Sequence, residues 1–287
     1  MNAIGEFLFG WFKDLLIDGI IFNFTGMFND MNERVSTIAT QVGQTPQGWN
    51  AGIFNLIRNL SELVILPIAG IILTFILCYE LITMIIDKNN MNEFETFTLF
   101  KWIFKTFVAV YILSNTFNIV MAIFTLAQNA VNSSAGLISG SLNVNVALAD
   151  LAAQLDNMEI GELLGLYLQS LILRLVMMAV SICVFLIIYG RMIEIYLVIS
   201  IAPIPLSTMI NREWSSVGNN YLKSVFALAF QGFLIMICVG IYSVLLQSIP
   251  SAGNIHAAIW GTVGYTLLLC MILFKTGSIA KGLFSAH

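Results

Sequence analysis

The polar side chains that could do chemistry in this chain lie inside long apolar runs, and Arg174 is the most costly of them. It lies near the middle of the run 163–189, where a charge costs roughly 2.5–3.5 kcal/mol on insertion scales. Ser170 and Ser181 share its helical face, at i−4 and i+7. A charge at such a depth normally faces a bundle interior or a water-filled cavity, so these three residues are candidates for the lining of a conduit.

A second polar stripe lies in the preceding apolar run, 102–127. It consists of Tyr111, Ser114, Asn115 and Asn118, at i, i+3, i+4 and i+7 of a helix. Counted inward from the segment between the two runs, Asn115 and Arg174 lie at similar depth, which predicts that they meet across a helix pair. Two interpretations stay open: a transport path, or an interhelical hydrogen-bond clamp worth about 0.6 kcal/mol.

The remaining chemistry-bearing residues point to structure rather than catalysis. Glu80 can reach Lys101 or Lys105 at the start of the next run, which predicts an ion pair. The sequence contains no nucleophile motif, no phosphate-binding glycine loop and no paired catalytic carboxylates. His256 and His287 stand alone and the cysteines lie in apolar runs, so we expect no cofactor, no metal and no enzyme activity.

The composition fixes the environment in which these residues act. Hydrophobic residues make up 59% of the 287 and charged residues only 10%, far from the values of about 45–50% and 25% in soluble domains. We therefore predict an all-α polytopic membrane protein with about five transmembrane helices, one broken or re-entrant apolar segment and an N-terminal amphipathic helix. Its regions are an outer N-terminal part (1–62), a first helical hairpin (63–127), an acidic outer loop (128–162) and a membrane core (163–287).

The N-terminal helix is predicted over residues 4–16, ending at Asp18–Gly19. Its apolar face either lies in the membrane interface or packs on the protein's own helices. A break after the third span is predicted at Gly190–Arg191.

The distribution of charge predicts the topology. Segment 128–162 has four acidic residues and no Lys or Arg, which is typical of an exported loop. If the run 193–210 enters and leaves on the same side of the membrane, the basic residues at the ends of the spans all lie in the cytoplasm or at its boundary. The N-terminus is then outside and the C-terminus inside the cytoplasmic membrane. The candidate inner basic rim comprises Lys88, Lys101, Lys105, Arg191, Arg212 and Lys223, although ordinary positive-inside topology explains the same residues.

The run 193–210 also contains the sequence element with the most specific resemblance. IYLVISIAPIPLSTMI followed by REW includes Ala202, Pro203, Pro205 and Trp214, and two prolines so close together interrupt a helix. This region resembles the TrbL-type inner-membrane component of type IV secretion and conjugation systems, in which an Ala-Pro element ends an apolar helix and a tryptophan follows. The resemblance extends over roughly residues 60–280.

The resemblance implies a channel or scaffold subunit that helps single-stranded DNA with its attached protein to cross the cytoplasmic membrane. It also implies a homo-oligomeric ring in membrane lipid, with ATPases and other secretion subunits as partners. Two alternatives stay open: a small-molecule or ion transporter, and a purely structural membrane anchor. A transporter often has paired broken helices in its two halves, and the sequence shows one broken segment without a partner in the first half.

Overall fold

A computed structural model describes residues 3–87, 96–137, 152, 154–247 and 255–286. These residues form α-helices joined by short turns, with no strand among them. The prediction of an all-α protein is confirmed.

The N-terminal helix is much longer than predicted. Helix α1 runs over Ala3–Val42 and passes through Asp18–Gly19 without interruption. The first proline of the chain is Pro46, so no residue of α1 lacks a backbone N–H. Each glycine inside the helix, such as Gly19, costs only about 1 kcal/mol. The helix buries one apolar face, formed by Leu16, Ile17, Ile20, Phe24 and Met27.

A turn and two capped helices follow. Thr45 accepts a hydrogen bond from the Gly48 amide and caps α2, Pro46–Trp49. Asn50 accepts from the Ile53 amide and caps α3, Ala51–Leu60, which continues as a π-helical segment, Ser61–Ile65, into α4, Leu66–Asp87. The first apolar helix therefore begins at Ala51, before the predicted start at Leu63.

The second apolar run is interrupted where it was predicted to be continuous. Helix α5 is Thr96–Ser114 and α6 is Thr116–Leu137, with a turn at Asn115. The side-chain amide of Asn115 donates from Nδ2 to the Tyr111 carbonyl at 2.9 Å. Thr116 Oγ1 donates to the Ile112 carbonyl at 3.1 Å. The Asn115 backbone keeps its helical bonds, from its N–H to the Tyr111 carbonyl at 3.1 Å and from the Ile119 N–H to its own carbonyl at 3.0 Å. The interruption is therefore a local distortion where adjacent polar side chains also bond to the helix backbone.

The predicted break at Gly190–Arg191 is wrong. Helix α7 runs unbroken over Ile160–Ser200, and the chain turns only at Ile201–Ala202 before the short helix α8, Pro203–Ser207. Proline lacks an N–H, so the carbonyls of Ile199 and Ile201 lose their α-helical partners. They accept instead from the amides of Ala202 and Ile204, at 3.3 and 3.1 Å.

Helices α9, Ser215–Gln247, and α10, Ile255–Leu283, complete the described chain. Five of the described helical stretches are long and apolar enough to cross a membrane, as predicted: Ala51–Ile86, Phe97–Ser114, Ile160–Ser200, Ser215–Leu245 and Trp260–Leu283. The chain divides into two compact units. The first unit comprises Met1–Val42, Ser133–Ile188 and Ile235–Lys275; the second comprises Gly43–Asn132, Tyr189–Leu234 and Thr276–His287.

Candidate functional site

In the first unit, Arg174 belongs to a chain of hydrogen bonds between α7 and α1. Its Nη1 donates to Asn23 Oδ1 at 3.1 Å, and Asn23 Nδ2 donates to Ser170 Oγ at 2.9 Å. Ser170 in turn donates to the carbonyl of Tyr167 at 2.8 Å. Asn23 and Ser170 are both buried, and the guanidinium also lies 5.0 Å from the ring centre of Phe22. These contacts satisfy polar groups that an apolar environment would otherwise penalise.

This arrangement is that of an interhelical clamp. The guanidinium has no carboxylate partner among the described residues, so its hydrogen bond is to a neutral amide. The predicted pairing of Arg174 with Asn115 is not the one seen, since Asn115 donates to its own helix. Ser181 is half-buried, and no contact links it to the clamp.

The residue that sequence reasoning missed here is Asn23. It lies beyond the predicted end of the N-terminal helix at Asp18–Gly19, yet apolar residues recur at helical spacing on both sides of it, from Leu16 to Met27. That periodicity continues past Gly19 and could have extended the helix. The direction of the two helices follows from the contacts: Lys13 donates to the Asp156 carbonyl at 2.7 Å, and Asn23 contacts residues further along α7. The two therefore run in the same direction, and α1 packs on the protein's own helix from Leu16 onward. Most of the apolar face predicted over residues 4–16 is exposed instead: Phe7, Leu8, Trp11, Phe12 and Leu15.

In the second unit, the stripe on α5 and α6 is not a buried polar face. Tyr111, Ser114 and Asn118 are exposed, and Asn115 is half-buried. Ser114 and Asn118 line a cavity that they share with Pro203. The stripe thus marks a helix interruption that lies beside the proline-containing segment.

The proline-containing segment is tightly enclosed. Ala202, Pro203 and Pro205 are all buried, and the Tyr221 hydroxyl donates to the Val198 carbonyl at 3.0 Å. Helix α9 approaches so closely that a Cβ at Gly218 would lie 2.6 Å from the Pro205 carbonyl oxygen. Broken backbone at membrane depth requires such enclosure by protein.

Trp214, the last residue of the motif, lies at the edge of this segment. It is 41% exposed, and its ring centre lies 6.3 Å from that of Phe75 on α4.

The candidate basic rim divides into residues with different surroundings. Lys101, Arg212 and Lys223 are exposed, and the Lys101 ammonium lies 4.5 Å from the ring centre of Phe97. Lys105 forms the predicted ion pair with Glu80. Lys88 lies outside the described residues.

Arg191 does not belong to an exposed rim. It is only 7% exposed, its Nε has no partner among the described residues, and Nη2 reaches the Leu228 carbonyl at 3.5 Å. Its neighbour Glu194 instead pairs with Lys281 at 3.3 Å, on α10. The positive-inside pattern locates a cation along a membrane normal but does not report whether neighbouring helices cover it.

Within the described residues, no group of three or more His, Cys, Asp and Glu could hold a metal ion. The arrangements seen in both units fix helices and enclose irregular backbone.

A comparison with protein families gives one match. A family model described as TrbL/VirB6 plasmid conjugal transfer like protein matches residues 31–203, more than half of the chain. The match begins earlier than the predicted resemblance and ends at Pro203, so Trp214 lies beyond it. Comparison with curated proteins and with solved structures gives no match.

Proposed function

This chain belongs to the TrbL/VirB6 family of plasmid conjugal transfer like proteins, and we propose that it forms part of the path by which single-stranded DNA with its attached protein crosses the cytoplasmic membrane. It is a multi-pass membrane component of a conjugal transfer system, and other type IV secretion subunits are its partners. The observation that carries the proposal is the family match over residues 31–203 together with the five apolar helices.

The orientation we propose has the N-terminus outside and the C-terminus in the cytoplasm. Segment 128–162 has no Lys or Arg and would be exported, while the basic residues at the other helix ends would stay inside. An exported segment without cations cannot hold phosphates tightly, since phosphate contacts dominate affinity for nucleic acid. This favours passage of the substrate rather than its retention on the outer side.

On the inner side, Lys101, Arg212 and Lys223 are the exposed cations that we propose meet the substrate or the docked ATPases. Lys105 is removed from that role by its pair with Glu80, and Arg191 by its burial. The protein would act without catalysis of its own, as one subunit of a homo-oligomeric ring in membrane lipid, and the ATPases would supply the energy.

One observation favours the ion-transporter alternative. The first half of the chain was expected to lack a broken helix, and there the helix is distorted at Asn115, so each half contains an irregular stretch. Paired interruptions are typical of secondary transporters. The π-helical segment Ser61–Ile65 adds a third irregular stretch.

The test of the conjugation role is deletion of the gene in its native donor, scored by transfer of the resident mobile element to a recipient. We expect transfer to be lost and to be restored by the wild-type gene. Unchanged transfer after deletion would contradict the proposal, and uptake of ions and small solutes would then be measured in the same strains.

Substitution of Arg174 distinguishes a conduit from an anchor. In a conduit, Arg174→Glu abolishes transfer while the partner subunits still co-purify. In an anchor, the same substitution either disrupts assembly or changes nothing. Arg174→Leu removes the bond to Asn23 without adding a negative charge, and normal accumulation with normal transfer in this variant would exclude Arg174 from the conduit lining.

A further inference from the structure

The second unit contains a cavity of about 160 Å³ among three stretches of irregular helix. It is lined by Ser61, Glu62, Leu66, Leu113, Ser114, Thr116, Phe117, Asn118 and Pro203. A space of this size can hold several water molecules or a small ligand with its hydration.

Each wall of the cavity comes from a place where the α-helix is disturbed. Ser61 and Glu62 begin the π-helical segment, and such bulges occur frequently at functional sites. Ser114 and Thr116 flank the interruption at Asn115, and Pro203 begins the short helix after the turn at Ala202. Irregular backbone at membrane depth is tolerated where it is buried in protein or lines a cavity, and here all three stretches border the same one.

The polar groups in the lining are mainly oxygen acceptors. Ser61 is 1% exposed, and its Oγ has no hydrogen-bond partner among the described residues, which is costly for a buried hydroxyl. Thr116 is also buried and donates its proton to the Ile112 carbonyl, so its oxygen can only accept. The Ser114 hydroxyl, the Asn118 side-chain amide and the Glu62 carboxylate complete the set.

We propose that this cavity binds a monovalent metal cation, sodium or potassium. Hydroxyl, amide and carboxylate oxygens are ligands for hard cations, and none of the lining residues is cationic. The nearby Arg58 is engaged by Glu62, with 2.8 Å between Nε and Oε1. A divalent ion generally needs more carboxylates than the single one here, and a transition metal needs His or Cys, which the lining lacks. The proposal stands independently of the conjugation role.

The experiment uses the purified full chain in detergent. Its thermal unfolding is measured in sodium chloride and in potassium chloride, each against N-methyl-D-glucamine chloride at the same ionic strength. A ligand that binds only the folded state raises the unfolding temperature with its concentration. Binding of radioactive sodium or rubidium at equilibrium gives the affinity directly.

The decisive variant is Ser61→Ala. Its hydroxyl has no partner to lose, so we expect the variant to unfold at or slightly above the wild-type temperature in N-methyl-D-glucamine chloride, and to bind the cation about tenfold more weakly. The matched control is Ser224→Ala, outside the cavity, where the hydroxyl donates to the Asn220 carbonyl. Its cation response should equal that of the wild type. If Ser61→Ala does not accumulate, Glu62→Gln replaces it and should weaken binding similarly.

Two results would overturn the proposal. Equal unfolding temperatures in all three salts, with no bound radioactive ion, would show that the cavity holds water only. A cation response of the same size in wild type and in the cavity variant would place the ion elsewhere in the protein.

Discussion

The two units satisfy their polar groups in different ways. In the first unit, polar side chains bind one another between unbroken helices: Asn23 with Ser170 and Arg174, and the Tyr242 hydroxyl with Thr266 Oγ1 at 2.8 Å. In the second unit, the helices are irregular at Ser61–Ile65, Asn115 and Ala202, and beside the Ala202 break the Tyr221 hydroxyl of α9 donates to the Val198 carbonyl. Both arrangements pair polar groups that an apolar surrounding would penalise, although Ser61 Oγ, Glu80 Oε2 and Arg191 Nε have no partner among the described residues of the second unit.

The difference indicates where substitutions should matter most. A side-chain clamp in a membrane can be removed at a cost of about 0.6 kcal/mol on average, because the separated partners find other bonds. At the broken segment the neighbouring helix α9 is held close, since Tyr221 donates to the Val198 carbonyl and Gly218 approaches the Pro205 carbonyl. We therefore expect the second unit to respond more strongly than the first.

The largest effect is expected for Gly218→Ala. The added Cβ would collide with Met209 and lie 2.6 Å from the Pro205 carbonyl oxygen, so backbone must move, at a cost of about 1–3 kcal/mol. Thermal unfolding of the purified protein should show a clear decrease in stability. The control is Gly70→Ala on α4, where the new methyl group meets nothing within 4 Å and should be neutral or slightly stabilising. If the two variants unfold at the same temperature, the close approach at Pro205 does not contribute to stability.

Next in size is Lys105→Met. Glu80 would lose its ion pair, and its Oε2 is already buried without a partner. Since the two side chains are 37% and 26% exposed, we expect a loss of about 1–2 kcal/mol rather than the 3–5 kcal/mol of a fully buried pair. Lys101→Met removes an exposed lysine of the same helix and should change the unfolding temperature much less. A larger effect at Lys101 would contradict the assignment of the pair.

In the first unit, Gly19→Ala should be milder than Gly218→Ala. The new Cβ would lie 2.6 Å from Cε2 of Tyr167, which is a side-chain ring and can rotate away. We expect the free energy of unfolding to decrease by about 1 kcal/mol, near the lower limit for overpacking. The double variant with Tyr167→Leu should recover this loss. If the two glycine variants unfold alike, the contrast between the units fails.

The smallest effect is expected for the clamp itself. A double-mutant cycle of Asn23→Ala and Arg174→Leu should give a coupling of about 0.6 kcal/mol, measured by reversible unfolding in detergent. A coupling energy larger than the loss of stability caused by Gly218→Ala would reverse the order proposed for the two units.

The sequence predicted the fold well where composition determines it and less well where single contacts do. Apolar runs and the distribution of Lys and Arg predicted five membrane-spanning helices, because both reflect the cost of transfer into lipid. The break at Pro203 followed from a missing N–H, which is a property of the residue itself. Gly190 keeps its backbone N–H, so the helix continues through it within α7.

The contacts of the candidate residues were harder to predict. Asn115 donates to the backbone of its own helix, and Arg174 meets an asparagine on a helix that the sequence analysis ended at Asp18–Gly19. Arg191 was assigned to a rim from its position along the membrane, although helix packing buries it. Each of these depends on which helices are neighbours, and a periodicity in one segment does not contain that information.

The claim that this protein is part of the DNA path is tested most directly by crosslinking during transfer. Donor cells carrying an epitope-tagged, functional copy would be treated with formaldehyde while mating, and the DNA recovered with the protein would be quantified. We predict enrichment of the transferred strand over a chromosomal locus, and loss of that enrichment when the origin of transfer is deleted. Normal transfer with no enrichment above the chromosomal locus would contradict it and identify the protein as a scaffold beside the path.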